Sequence, residues 1–115
     1  MRHDRNLQDW ANDSSLFHRL RDCAIELARG KGSWKDRAVY VFDRLGPIRE
    51  ADFPAWMRPS FAHIPTLRAT FTQPVAHTVI STAGSMPPKA RRLLADSVFN
   101  LYEEMLKERV RQGLE

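Results

Sequence analysis

The feature that most constrains this chain is a long amphipathic segment toward its C-terminal end, from about Pro87 to Gln112. On a helix of 3.6 residues per turn its apolar side chains share one wide face, while its charged side chains fall opposite. The apolar face comprises Ala90, Leu94, Val98, Leu101, Tyr102, Met105, Leu106 and Val110. At 1.5 Å per residue such a helix is on the order of 39 Å long, so the other elements must pack along it.

Two earlier helices are predicted, each starting at a capping residue and ending at a glycine. One of the polar residues 13–15 can cap the first of them, which runs to Gly30. Ser33 can cap the second, which runs to Gly46. The β-branched and aromatic side chains of residues 37–43 leave a strand open as the alternative there. The capping residues favour a helix.

The segment of residues 47–74 is rich in proline and large apolar side chains but poor in charge. Its prolines are Pro47, Pro54, Pro59, Pro65 and Pro74. Proline interrupts long regular elements, yet a flexible linker would not carry so many apolar side chains. We therefore expect short helical turns up to Pro65 that wrap over the long C-terminal helix, followed by a brief helical segment that Pro74 interrupts.

The stretch between Pro74 and Gly84 is predicted to form one more helix. Pro74 suits the first turn of a helix, and Gly84 lies where a helix would end. Val75, Val79 and Ile80 between them keep helical spacing. The threonines and valines of this stretch weaken the prediction, since they also favour strands.

These patterns together predict an all-α protein, a small bundle of about five helices or helical turns. A length of 115 residues suits a single domain over residues 1–115. Within it, residues 1–13 are expected to form either a short helical turn or an N-terminal arm that docks through Trp10. No apolar run approaches the roughly 18 residues that cross a bilayer, and the first 13 residues lack a signal-peptide core, so we expect a cytoplasmic protein with no membrane partner.

No set of side chains has the spacing of a catalytic or metal site. The four histidines do not pair at metal-ligand spacing. His77 and Ser81 lie one helical turn apart, but a base and nucleophile also need an orienting acid and an oxyanion device. Cys23 falls on an apolar helix face, as a small buried hydrophobic residue does. We expect no enzymatic activity, no catalytic residue, no metal and no cofactor.

The leading functional prediction is a small binding or regulatory protein that acts through protein–protein contacts, as an accessory subunit or a homodimer. The expected docking surface consists of Phe53, Trp56, Met57 and Phe61, because proline-rich apolar loops tend to have a fixed shape and aromatic side chains often anchor interfaces. The alternative for these four residues is a place in the core.

The second prediction is a basic nucleic-acid-binding protein. The chain has a net charge of +4 and a pI of 9.7, with one concentration of bases at Arg29, Lys31, Lys35 and Arg37. Lys89, Arg91 and Arg92 form another. A helix pair joined by a glycine turn resembles a helix-turn-helix, in which Lys35 and Arg37 would contact DNA, joined by Arg91 and Arg92. Ordinary packing of two helices explains the same outline.

Overall fold

The computed structural model describes residues 5–76 and 78–115, and these residues are mostly helical, as predicted. Their helices are α1 (Leu7–Ala11), α2 (Ser14–Arg29), α3 (Trp34–Leu45), α4 (Arg58–Thr70) and α5 (Pro88–Arg111). Single 3-10 turns span Glu50–Asp52, Ala55–Met57 and Ala83–Ser85. An antiparallel hairpin joins β1 (Thr72–Val75) to β2 (Thr78–Ser81).

Helix α5 is the element on which the others pack, which confirms the prediction made from its apolar face. It contacts α1, α2 and α4 along its length. Leu94, Val98, Leu101 and Met105 form its fully buried stripe. At its last turn the pattern differs from the prediction, because the side chain turned inward belongs to Arg109 while that of Val110 is exposed.

The capping residues set the starts of α2 and α3 as predicted. Asp13 Oδ1 accepts a hydrogen bond from the Leu16 amide at 2.9 Å, and Ser33 Oγ accepts one from the Asp36 amide at 3.1 Å. Gly30 ends α2 in the left-handed region with φ of +66°, which glycine adopts without steric cost. The strand alternative for residues 37–43 is excluded, since they lie within α3.

The described residues of the predicted N-terminal arm include a short helix, α1. Trp10 lies in α1, and its side chain is completely buried. The arm is also tied to the body by Arg109, whose Nη1 donates to the Ala11 carbonyl at 2.7 Å. The first four residues of the predicted arm lie outside the described residues.

Helix α4 corrects the expectation that prolines divide residues 47–74 into short turns. This helix is 13 residues long, with Pro59 in its first turn and Pro65 in its interior. Pro59 costs little there, because first-turn amides lack an intrahelical partner in any case. Pro65 removes one hydrogen bond, but the helix continues because Phe61, Ile64 and Leu67 are buried on one side of it. The predicted packing of this segment on α5 is confirmed.

The predicted helix between Pro74 and Gly84 is wrong, because these residues contribute the β-hairpin and a 3-10 turn. Pro74 lies opposite Val79 in the strand pairing. Ala76 makes the turn with φ of +55°, in the left-handed region. Short apolar runs fit a helical period and a strand equally well, and here the β-branched residues decide. Helix α5 then begins after its N-cap residue, Pro87.

Among residues 5–76 and 78–115, no helix combines the length and the apolar character that crossing a membrane requires.

Candidate binding surfaces

The four residues expected at a docking surface do not share one surface. Phe53, Met57 and Phe61 are buried, and the rings of Phe53 and Phe61 stack with centroids 4.9 Å apart. Trp56 differs, with 56% of its surface exposed. The expectation that all four face a partner is therefore corrected, because three of them belong to the core and Trp56 alone of the four offers an accessible side chain.

Trp56 borders a shallow groove between the N-terminal arm and α5. Its ring meets the buried Trp10 ring edge to face, with centroids 6.0 Å apart. The groove has a volume of about 350 Å³ and is lined by Leu7, Trp10, Trp56, Glu104, Lys107, Glu108 and Arg111. The charged residues in this lining pair with one another along α5, so the groove is apolar at one wall and charge-balanced at the other.

Two ion pairs line the α5 wall of this groove. Arg111 donates to a Glu108 carboxylate oxygen at 2.7 Å, and this hydrogen bond, followed by one from Gln112, holds the pKa of Glu108 below its ordinary value. Lys107 reaches Glu104 at 3.3 Å. Glu108 therefore stays ionised and paired at neutral pH.

Trp34 brings the two basic segments of the sequence together. The Arg37 guanidinium lies 5.5 Å from the centroid of its ring, and the Arg91 guanidinium lies 5.4 Å from the same centroid. Helix α3 also contacts the 3-10 turn before α5. Gly84 in that turn lies beside the Lys35 side chain, so close that a β-carbon at Gly84 would be 3.8 Å from it. We give the name basic face to the cations of the two basic segments that these contacts connect; they are Arg29, Lys31, Lys35, Arg37, Lys89, Arg91 and Arg92.

Two arginines of the basic face hold helix ends in place. Arg37 Nη1 donates to the Leu27 carbonyl at 3.3 Å, and that carbonyl lies in the last turn of α2. Arg91 Nε donates to the Met86 carbonyl at 2.8 Å, just before α5 begins. Both side chains are half-buried. These two arginines therefore stabilise the fold, in addition to any contact that they make with a ligand.

The other five cations of the basic face are exposed and have no partner within the described part of the chain. They are Arg29, Lys31, Lys35, Lys89 and Arg92. The ion pairs of the described residues lie elsewhere and use Arg5, Arg21, Arg44, Lys107, Arg109 and Arg111. Unneutralised cations concentrated at one surface raise its positive potential.

The outer side of α3 lacks the chemistry of a groove-reading helix. Its buried side consists of Ala38, Val41, Phe42 and Leu45, and its exposed residues include Asp36, Tyr40 and Asp43. Two carboxylates would face the phosphates that flank a major groove, and like charges repel. Trp34 and Arg37 at the start of α3 are engaged with one another and with their neighbours.

The side chains considered for catalysis are not brought together. Cys23 is completely buried, and burial raises the pKa of its thiol to about 12, so it is a poor nucleophile. Ser81 lies in β2, where its Oγ accepts from the Ala83 amide at 3.2 Å, so the helical spacing assumed between His77 and Ser81 does not apply. His77 itself lies outside the described residues. Within them, no three His, Cys, Asp or Glu side chains group as metal ligands.

Two features were not predicted from the sequence: the contacts of the Trp34 ring with two arginines and the exposure of the hairpin. A tryptophan at a helix start followed by arginine three residues later is a weak signal for a cation–π pair, but nothing local points to Arg91. The run Thr78, Val79 and Ile80 was the signal for a strand. Val79 is 71% exposed there, which makes it the most exposed large apolar side chain among those described.

No protein-family model matches this chain, and no curated protein or solved structure matches it either. Its function must therefore be inferred from its own contacts, burial and charge.

Proposed function

We propose that this protein is a non-enzymatic binding protein that binds nucleic acid through phosphate groups at the basic face. The observation that carries the proposal is the Trp34 ring with Arg37 and Arg91 against it, which joins two basic segments more than 50 residues apart in sequence into one surface. Phosphate contacts supply most of the sequence-independent affinity for nucleic acid. Unpaired lysines and arginines make such contacts.

The free cations surround the start of α5 and the turn before α3. Lys89 and Arg92 lie three residues apart in the first two turns of α5, so they are neighbours on its surface. Lys31 belongs to the turn between α2 and α3, and Lys35 follows in the first turn of α3. The amino ends of two helices therefore contribute to this surface, and their dipoles add to its attraction for anions.

The acidic outer side of α3 argues against base reading by a helix-turn-helix. Asp36 and Asp43 would approach phosphates if α3 entered a major groove. The two guanidiniums against Trp34 also leave its ring little room to stack on a base. We therefore infer binding with little sequence preference, directed at the sugar–phosphate backbone.

The test is a salt titration of binding to labelled oligonucleotides of one length, as duplex DNA, single-stranded DNA and RNA. If all five free cations contact duplex phosphates, log K falls against log salt with a slope of about −4.5, a loss of about 500-fold between about 50 and 200 mM. The double variant Lys35→Ala/Lys89→Ala should reduce that slope by about 1.8, because each lost contact removes about 0.9.

The matched control is Lys107→Ala/Arg111→Ala, which removes the same charge from the other end of α5. Lys107 lies roughly 27 Å from Lys89 along that helix, at 1.5 Å per residue. This control should leave the slope unchanged. Equal effects of the two double variants would mean that net charge alone drives the binding. Absence of binding to any of the three probes at low salt would exclude the proposal.

A protein partner at Trp56 is the second candidate function, supported by the exposure of that tryptophan beside a groove of about 350 Å³. Exposed tryptophans are common anchors of interfaces. The partner we envisage is a protein that inserts one apolar side chain beside the Trp56 ring, with polar groups facing the ion pairs of α5.

Affinity purification after nuclease treatment tests this candidate. A protein held by the wild-type chain should be lost with Trp56→Ala, while the circular dichroism of that variant stays helical. Ile25→Ala is the matched control, since Ile25 is an exposed apolar residue on α2. A partner retained by Trp56→Ala would place the contact elsewhere on the molecule.

A further inference from the structure

The β-hairpin presents apolar side chains without the charges that normally protect an exposed sheet. Residues 72–81 contain no Lys, Arg, Asp or Glu. Val75, Val79 and Ile80 are exposed by 48%, 71% and 46%. None of the described hairpin residues is buried. A two-stranded sheet with so little support is marginal by itself.

A groove also separates the hairpin from the helices beneath it. Its volume is about 420 Å³, and it is lined by Val39, Phe42, Asp43, Arg68, Thr72, Val79 and Ser81. The hairpin therefore lies over α3 and α4, with the groove between them, and is not packed closely against these helices. Its strands keep surface available on the side of the helices as well as on the outer side.

The strand register tells which backbone groups point away from the hairpin. The Thr82 amide donates to the Phe71 carbonyl at 2.8 Å, and pairs alternate between hydrogen-bonded and non-hydrogen-bonded along an antiparallel ladder. Gln73 therefore bonds with Ile80 within the ladder, whereas Pro74 and Val79 form a non-hydrogen-bonded pair. The backbone groups of Pro74 and Val79 point outward, toward the two free edges.

The two edges consequently differ in their capacity to bind another strand. Proline has no amide hydrogen, so Pro74 blunts the outer edge of β1, a device that natural sheets use against unwanted pairing. The outer edge of β2 has no proline and no charge. It offers the amide and the carbonyl of Val79 to a partner strand.

We propose that two copies of this chain associate through the outer edges of β2 and form one four-stranded antiparallel sheet. An antiparallel strand edge is complementary to itself: around a two-fold axis at Val79, the Val79 amide of each copy donates to the Val79 carbonyl of the other. The chain has a net charge of +4, so contact between two copies is least opposed at a neutral element such as the hairpin. Pro74 has no amide hydrogen to donate at the outer edge of β1, so no third copy adds there and the assembly stops at two copies.

The test is the mass of the full chain in solution across a concentration series, by light scattering or sedimentation. We expect a species of twice the 13.3 kDa chain mass. Val79→Pro removes one outward amide without removing a ladder hydrogen bond, so it should give a monomer with unchanged helical circular dichroism. Val79→Lys, which places a charge on the edge, should do the same. Val79→Thr keeps the amide and the strand preference, and it should retain the dimer.

Pro74→Thr tests the second edge. It restores an outward amide on β1, so association should no longer stop at two copies and should continue to larger species. A wild-type chain that remains at 13.3 kDa up to about 1 mM would overturn the proposal. Any strand that pairs with the outer edge of β2 would then come from a different protein. A dimer that persists in both Val79→Pro and Val79→Lys would overturn it too.

Discussion

Arg109 shows at the scale of one residue how a charge can belong to the core. Only 8% of its surface is exposed, and its guanidinium lies 4.3 Å from the centroid of the Phe17 ring. Its Nε donates to a Glu115 carboxylate oxygen at 2.8 Å, and its Nη1 donates to the Ala11 carbonyl. The charge is therefore paired, hydrogen-bonded and stacked, as a buried charge must be.

The sequence pattern assigned the adjacent residue, Val110, to this position. Hydropathy at helical spacing ranks side chains by type, and it cannot reveal a carbonyl contributed by Ala11, which is 98 positions away. The same limit applies to Trp34, whose partner Arg91 comes from a different element. Residue roles that depend on one distant partner are the ones that sequence analysis missed in this protein.

Replacing Arg109 with methionine should lower the free energy of unfolding by about 2–4 kcal/mol, because a buried acceptor loses its charged donor and the pair with Glu115 is broken. Arg109→Lys should recover part of this loss, since lysine lacks the planar fork that serves both partners. Urea unfolding measures the change in the free energy of unfolding, and an unchanged m value shows that the transition exposes the same surface in both proteins. The control is Arg111→Met, which breaks an exposed pair and should change stability little. Equal losses in the two methionine variants would contradict the buried role.

At the scale of elements, the capping residues were the most reliable signals. Asp13 and Ser33 each accept from a first-turn amide at the predicted position, and the long α5 follows its apolar periodicity. Prediction failed at two prolines, because Pro65 was treated as a break and Pro74 as the start of a helix. Pro65 is accommodated inside α4 because one side of that helix is buried, and Pro74 lies in a strand at an outward-facing position. Both outcomes depend on tertiary context that local sequence does not contain.

The cap of α2 leads to a prediction about acid stability. Burial raises the pKa of the Asp13 carboxyl, but hydrogen bonds from the Leu16 amide and the Arg5 side chain outweigh burial, so the net pKa lies below its ordinary value of 3.8. A carboxyl with a lowered pKa in the folded state stabilises that state above its unfolded pKa, and this contribution is lost as the pH falls through the folded value.

We therefore expect the stability advantage of wild type over Asp13→Asn to be constant near neutral pH and to shrink below about pH 3.8. Asparagine keeps the cap but not the ion pair with Arg5. Asp13→Ala should cost about 1 kcal/mol, because the Leu16 amide loses its acceptor. Denaturant unfolding at several pH values measures both effects. An advantage over asparagine that grows on acidification would show that the carboxyl is not stabilised in its charged form.

At the scale of the whole molecule, the protein divides into a helical body organised on α5 and a hairpin that adds little to it. Three other helices contact α5 and bury its side chains Leu94, Val98, Leu101 and Met105. In contrast, none of the described hairpin residues has a buried side chain. The all-α class was predictable because amphipathic periodicity records burial over many residues. The three proposed interaction surfaces were less predictable, because each is assembled from exposed groups.

This division predicts two levels of protection in hydrogen exchange, measured on dilute monomeric protein. Amides in the middle of α5 should exchange only through global unfolding, since any opening there exposes the core. The Ile80 amide, bonded within the ladder, should exchange faster, through local opening of the hairpin. Raising the protein concentration should slow exchange at Ile80 and Val79 if β2 pairs with a second copy, while the amides of α5 remain unchanged. Protection at Ile80 equal to that of α5 in dilute protein would mean that the hairpin unfolds together with the helical body, and its exposed edge would then be a rigid part of the fold.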